Sequence, residues 1–286
     1  MSSNAIYGSI QKRYGELADR SSANLQKKTE ERIAQAFGYE SADLSSIPQS
    51  ANMGVSCGNP LAFANLNEGE TVIDLGSGGG IDVLLAAKKV GTRGKAIGID
   101  MTKSMLKLAR KNAKKSGTSN ALFIEASITS IPLPDATADC IISNCVVNLV
   151  PTVEKPLVFN EIFRLLRYGG RVAISDILTR KELPLEVANS LSFYIGCIAG
   201  ASQLHEYEKY LSDAGFKDLV IVDTHSDINV YKDLVQAQMD LGETSDQLKP
   251  NSCCGGKQEK NTTGGELLKS DFNEWAGSFQ IYAVKQ

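Results

Sequence analysis

Three short stretches each present a thiol flanked by small or polar residues: SCGNP around Cys57, SNCVVNL around Cys145 and GCIAGA around Cys197. In a reducing setting a cysteine is core packing, a ligand for a soft metal or metalloid, or a reactive nucleophile. A fourth stretch, DLGSGGG from Asp74 to Gly80, offers backbone rather than side chains. There Gly76 permits a tight turn, Gly78 lets the main chain approach a ligand, and Gly80 lets a helix pack close to a sheet. Asp100 stands 20 residues past Gly80. An acid at that distance accepts hydrogen bonds from ribose hydroxyls, with a helix cap for the segment opening at Thr102 as the alternative.

These groups need elements to hold them. TVIDLG, GKAIGID, ALFIEA, ADCIISNC and RVAISDIL are short, near-continuously apolar runs, as parallel strands covered on both faces are. Helical text, IDVLLAAKKV and the segment from Thr102, separates them. VEKPLVFNEIFRLLRYGG reads as a helix ending in its glycine pair. The alternation predicts βαβ units and a parallel sheet, with DLVIVDTH and SFQIYAVKQ as two final strands. Residues 1–60 form a helical cap with the Cys57 loop, 61–183 the core, and 184–286 a looser region with a flexible insert at about 243–270. INVYKDLVQAQMDL reads as helical.

In open α/β sheets ligands sit beyond the carboxyl ends of the strands. Cys145 lies at that end of the fourth strand and so faces the same crevice as the glycine loop. Cys140, ~16 Å back along the strand, is core. Asn144 and Asn148 at the same lip either orient a ligand or satisfy strand-end backbone groups.

The glycine loop alone suits a dinucleotide or S-adenosylmethionine. The D-x-G-x-G-x-G pattern led by Asp74, the motif's place behind a cap and the terminal strand pair resemble the Rossmann-like class I methyltransferases. That resemblance implies a seven-stranded, mostly parallel sheet of order 3-2-1-4-5-7-6 with the last strand antiparallel. It implies a donor site of Asp74, Gly76, Ser77, Gly78, Gly80, Asp100, Met101, Ile128, Thr129 and Asn144, with Ile128 on the adenine. Thr129 stands where the family pattern usually carries an acid.

SCGNP, SNCVVNL and GCIAGA together resemble the arsenite methyltransferases over roughly residues 50 to 225. The resemblance implies that Cys57, Cys145 and Cys197 hold trivalent arsenic, arsenite or methylarsenite, with Cys57 and Cys197 closing on it from mobile loops. Arsenic keeps a lone pair opposite its sulfurs, and this attacks the sulfonium methyl, so alignment rather than acid–base chemistry is the protein's task. A cysteine pair then supplies two electrons, and glutathione or thioredoxin restores it. Adjacent Cys253 and Cys254 either capture substrate or belong to a dispensable insert. A methyltransferase for an organic small molecule and a non-catalytic arsenite-binding protein are the alternatives.

A net charge of −3 and a pI near 5.6 offer no footprint for nucleic acid. No apolar run reaches membrane-helix length, and the polar start is unlike a secretory signal. A cytoplasmic monomer without stable disulfides is the expectation. His205 and His225 are peripheral.

Overall fold

The computed structural model describes residues 2–21, 27–183, 200–232 and 271–286. Cys197, Cys253, Cys254, the expected insert and most of the expected helix from Ile228 lie outside them.

The elements run α1 (Ser3–Ser21), α2 (Lys27–Ala36), α3 (Ser41–Ser45), β1 (Thr71–Leu75), α4 (Ile81–Val90), β2 (Lys95–Asp100), α5 (Lys103–Ser116), β3 (Ala121–Glu125), β4 (Ala138–Asn144), α6 (Lys155–Leu165), β5 (Leu166–Thr179), α7 (Leu204–Ala214), β6 (Leu219–Asp223) and β7 (Ala276–Val284). The seven strands form one sheet of order β3-β2-β1-β4-β5-β7-β6. All neighbours are parallel except those of β7, which runs antiparallel to β5 and β6. The expected fold class is therefore the observed one.

Apolar residues bury both faces of the central strands. Ile73, Leu75, Ile97, Ile99 and Ile141 pack on the α6 and α7 side. Val72, Ala96, Cys140, Ile142 and Ala173 pack on the α4 and α5 side. Cys140 is fully buried and free, and burial pushes its thiol up to about 12, which makes it inert core as expected. The lysines of α5 coat its wet side, while Met105, Leu106, Leu108 and Ala109 face inward.

One boundary differs from the sequence reading. The helix of VEKPLVFNEIFRLLRYGG ends at Leu165, and the chain becomes extended at Leu166. Gly169 and Gly170 therefore lie inside β5 rather than capping α6. The Gly169 N–H donates to the Lys285 carbonyl and the Lys285 N–H to the Gly170 carbonyl, so the far end of the chain claims this segment for the sheet. Local glycine signals lose to long-range pairing here.

A third cluster joins the cap to the lip of the sheet. Ile10 of α1, Ile33 of α2, Phe37, Leu149, Ile177 and Phe272 surround Cys57 and Cys145. Among the described residues no helix is long and apolar enough to cross a membrane.

Candidate active site

A cleft opens at the carboxyl ends of β1, β2 and β4. Its floor is the turn from β1 into α4. Gly76 and Gly78 have φ of 70° and 50°, a region that favours glycine. A Cβ on Gly76 would lie 2.4 Å from Val146, so no side chain fits that turn. The cap supplies the roof: Tyr7, Ile10 and Tyr14 from α1, with Ala51, Met53 and Ser56 from the loop that follows α3. Helical spacing in residues 4–37 picks out Ile6, Ile10, Tyr14 and Leu17 of the cap, two of which line the cleft, but periodicity shows which face is apolar and not what it covers.

Most expected donor-site residues line this cleft: Asp74, Gly76, Ser77, Gly78, Asp100, Met101, Ile128 and Asn144. Two do not. Gly80 stands behind the wall at the start of α4, where a Cβ would meet Phe123 at 3.3 Å and Ala109 at 3.4 Å, so its contribution is close packing. Thr129 turns aside, and its hydroxyl pairs with that of Ser127 at 2.7 Å. Ala126 and Ser127 line the cleft in its place.

The electrostatics of the cleft are one-signed. Asp74 and Asp82 are almost wholly buried, and Asp100 closes β2 beside them. Among the described residues the lining includes no lysine, arginine or histidine. Burial raises the Asp74 carboxyl well above the usual range, and the neighbouring charges of Asp82 and Asp100 raise it further. Burial lifts Asp82 to about 6 against the opposing hydrogen bonds of Tyr39 and Asn144. Asp100 is raised by burial, while N–H donors from Thr102 and Gly78 hold it back. A pyrophosphate at this helix N-terminus would lie beside buried carboxyl groups and no basic lining residue among those described, an unfavourable setting for its charge. A cationic ligand would relieve the same repulsion. The buried Ser77 hydroxyl, without a hydrogen-bond partner among the described residues, packs against Gly98 of β2.

Cys145 follows the last residue of β4 with φ of 62°, a left-handed conformation rare for a side-chain-bearing residue. Its N–H donates to the Ser175 carbonyl at 3.0 Å, which fixes that turn to β5. Cys57 arrives from the cap, 88 residues earlier, and its sulfur meets that of Cys145, with Cα atoms 5.4 Å apart. Both are buried, at 1% and 5% exposure.

The expected mobile Cys57 loop is instead a clamped one. The Cys57 N–H donates to the Asn144 side-chain oxygen at 3.0 Å, and the Asn144 amide donates to the Gly58 carbonyl at 2.9 Å. The Ser278 hydroxyl donates to the Cys57 carbonyl at 2.5 Å and the Tyr231 hydroxyl to the Ser56 carbonyl at 2.6 Å. Asn144 further donates to the Tyr39 hydroxyl at 2.8 Å and to Asp82 at 3.3 Å, while Tyr39 donates to Asp82 at 2.7 Å. Asn144 thus ties the thiol loop to the acidic end of the cleft. Asn148 is buried away from the cleft and donates to Asp176 and to the Ile177 carbonyl, the strand-end role of its two alternatives.

Asp176 escaped the sequence reading. A carboxylate oxygen of this fully buried residue lies within 4.8 Å of the sulfurs of both Cys57 and Cys145. Burial pushes its carboxyl up to about 7, opposed by the Tyr207 hydroxyl and the charge of Lys155. The signal was an acid inside an apolar strand, AISDIL, a place where charge is rare without purpose. His205 and His225 line neither the cleft nor the thiol pair.

Residues 66–215 match the family described as a methyltransferase domain. The chain is 42% identical over 216 residues to an arsenite methyltransferase of Halobacterium salinarum, which covers 76% of this chain and 54% of that protein. It is 35% identical over 174 residues to an arsenite methyltransferase of Aquipseudomonas alcaligenes, 58% of this chain and 49% of that one. The chain therefore spans about half the length of the curated relatives it matches. Among solved structures it is similar to CrArsM, an arsenic (III) S-adenosylmethionine methyltransferase from Chlamydomonas reinhardtii, with a TM-score of 0.58, 25% identity, and coverage of 89% of this chain and 73% of that one.

Proposed function

The chain belongs to the methyltransferase-domain family, and from that premise we propose that it methylates trivalent arsenic, arsenite or methylarsenite, with S-adenosylmethionine as donor. The observation that carries this reading is the meeting of Cys57 and Cys145 beside a cleft walled by buried acids. Soft trivalent arsenic selects thiolates, and a sulfonium amino acid is the cationic ligand those acids favour.

When bound, S-adenosylmethionine supplies an electrophilic methyl group. Asp74 and Asp82 stand where an ammonium is stabilised, Asp100 accepts from ribose hydroxyls, and Ile128 and Met101 offer apolar surface to a base. Cys145, fixed by the sheet, and Cys57, fixed by Asn144 and Ser278, hold the arsenic, and Cys197 is the expected third ligand. Rigid thiols suit a reaction limited by alignment, since orientation accounts for much of the barrier when two reactants are held in line. Methyl transfer raises arsenic formally from trivalent to pentavalent. Two thiolates restore it by giving up two electrons and forming an S–S bond. The close approach of Cys57 and Cys145 supports these two as the donors. A thiol reductant, glutathione or thioredoxin, then returns the pair to its reduced form.

The test is arsenic speciation after incubating the protein with arsenite, a thiol and S-adenosylmethionine. Methylated arsenic is the expected product. Unchanged arsenite held tightly would replace this reading with a non-catalytic arsenite-binding protein, and neither binding nor turnover would point to an organic acceptor. Cys145→Ser and Cys197→Ser should abolish methylation, and Cys140→Ser should retain it. Cys57→Ser should keep the methylation of methylarsenite, which needs two sulfur ligands.

A further inference from the structure

Asp176 has no part in the reading above, yet it sits closer to both sulfurs than any other described acid, histidine or cysteine, within 4.8 Å. It lies in β5, fully buried, and its carboxylate is already engaged on three sides. Oδ1 accepts from the Asn148 amide at 2.7 Å and from the Ile177 N–H at 3.0 Å. Oδ2 accepts from the Tyr207 hydroxyl at 2.7 Å. A carboxylate offers about four lone-pair positions. By that count one acceptor position on Oδ2 has no partner among the described residues, and a carboxylate oxygen of Asp176 lies within 4.8 Å of both sulfurs. Lys155, buried and donating to the Gly200 carbonyl at 2.6 Å and the Ser202 hydroxyl at 2.8 Å, supplies the positive field that sustains an acid in this interior.

The chemistry of arsenite gives that position an occupant. Arsenite, As(OH)3, condenses with two thiols: two S–H and two As–O bonds break, two As–S bonds form, and two waters leave. Arsenic stays trivalent and keeps one hydroxyl. Where Cys57 and Cys145 are the thiols on offer, as in a chain lacking the Cys197 thiol, methylarsenite, CH3As(OH)2, spends both of its hydroxyls on them and keeps none. Both condensations require the pair in its reduced form, which a thiol or phosphine reductant provides.

Resting on the reading that Cys57 and Cys145 hold trivalent arsenic, we propose that Asp176 accepts a hydrogen bond from the hydroxyl that arsenite retains on this pair, and so favours arsenite over methylarsenite. Asp176 is thus a specificity-determining contact, and the third thiol later displaces the hydroxyl as water.

The informative variant is Asp176→Asn. The two N–H donors facing Oδ1 hold the amide oxygen there, so the amide nitrogen takes the Oδ2 position and an acceptor becomes a donor at unchanged volume. The experiment uses the full chain in a Cys197→Ser background, where the hydroxyl persists, reduced with a phosphine. Arsenite alone and methylarsenite alone are titrated by equilibrium dialysis with elemental mass spectrometry. Hydrogen bonds to charged groups are strong enough that arsenite affinity should fall at least about tenfold, with methylarsenite unchanged within about twofold. An unchanged arsenite affinity, or equal losses for both ligands in a variant with a native circular dichroism spectrum, would overturn the proposal. A parent that fails to bind methylarsenite would remove the thiol reading and this inference with it. Where Asp176→Asn does not fold, Tyr207→Phe decides. Removing a competing donor should raise the ratio of arsenite to methylarsenite affinity a few-fold, and an unchanged or lower ratio overturns the assignment.

Discussion

Asn144 is the side chain on which the geometry of the thiol site turns, and Asn144→Ala measures how much. Its amide oxygen accepts from Cys57 and its nitrogen donates to the Gly58 carbonyl, the Tyr39 hydroxyl and Asp82. Tyr39 keeps its own bond to Asp82 after truncation, so two groups lose their partner: the Cys57 N–H and the Gly58 carbonyl. A buried polar group left unsatisfied costs about 1–3 kcal/mol, which sets an upper range of about 2–6 kcal/mol for the pair. Asn144 lines the cleft and is only partly buried, so a water can enter the vacated space and recover part of the loss. The expected destabilisation is therefore about 2–4 kcal/mol by urea unfolding, with the slope of the transition unchanged. Labelling with a thiol reagent after reduction should show Cys57 reacting faster than in the parent, because its loop is released from one side. Asn144→Asp should be worse than alanine. It keeps the shape but turns the donor toward Gly58 into an acceptor and adds a charge beside Asp82. A cost for Asn144→Ala below about 0.5 kcal/mol, or an Asn144→Asp milder than alanine, would refute the argument that this amide holds the thiol loop.

Gly58→Ala places a Cβ 2.6 Å from the Ser175 Cβ, and overpacking of this kind costs about 1–3 kcal/mol. Ser175→Gly in the same chain should recover most of that loss, and a double-mutant cycle with no coupling would contradict the contact. The affinity for S-adenosylmethionine should rise with pH through about 6, where Asp82 loses its proton. The raised carboxyl is mostly neutral below that value and charged above it, so binding of a cation should strengthen about tenfold between pH 5 and pH 7, read by calorimetric titration. A flat profile, or one that falls with pH, would remove the acids from the binding of the donor. The sign for stability is the reverse: the protonated Asp82 stabilises the ligand-free fold at low pH, and that contribution is lost as pH rises from the ordinary aspartate range through about 6.

The strand text TVIDLG, GKAIGID and ADCIISNC led directly to β1, β2 and β4 because a strand buried on both faces has to be apolar nearly throughout, and that constraint is local. The terminal strand pair was legible from its apolar runs, although β6 at the sheet edge leaves Val220 and Val222 exposed. RLLRYGG misled, since a glycine pair after helical text is a good stop signal, but the partner that draws it into β5 is Lys285, more than a hundred residues away. The cleft's acids were partly legible. Asp74 and Asp100 belong to a spacing pattern, whereas Asp82 is an ordinary residue of a helix's first turn until Tyr39 and Asn144 fold against it.

By itself the sequence determined the strands and which end of the sheet the glycine loop and Cys145 occupy. Alternation of apolar runs fixes strand polarity, and polarity fixes which residues reach the carboxyl edge. Only the tertiary structure decided that Cys57 and Cys145 meet, that Asn144 clamps one to the other's strand, and that an oxygen of Asp176 lies within 4.8 Å of both sulfurs. Hydrogen bonds and burial between residues many tens of positions apart leave no periodic trace along the chain, because their energies depend on a meeting that the fold alone arranges.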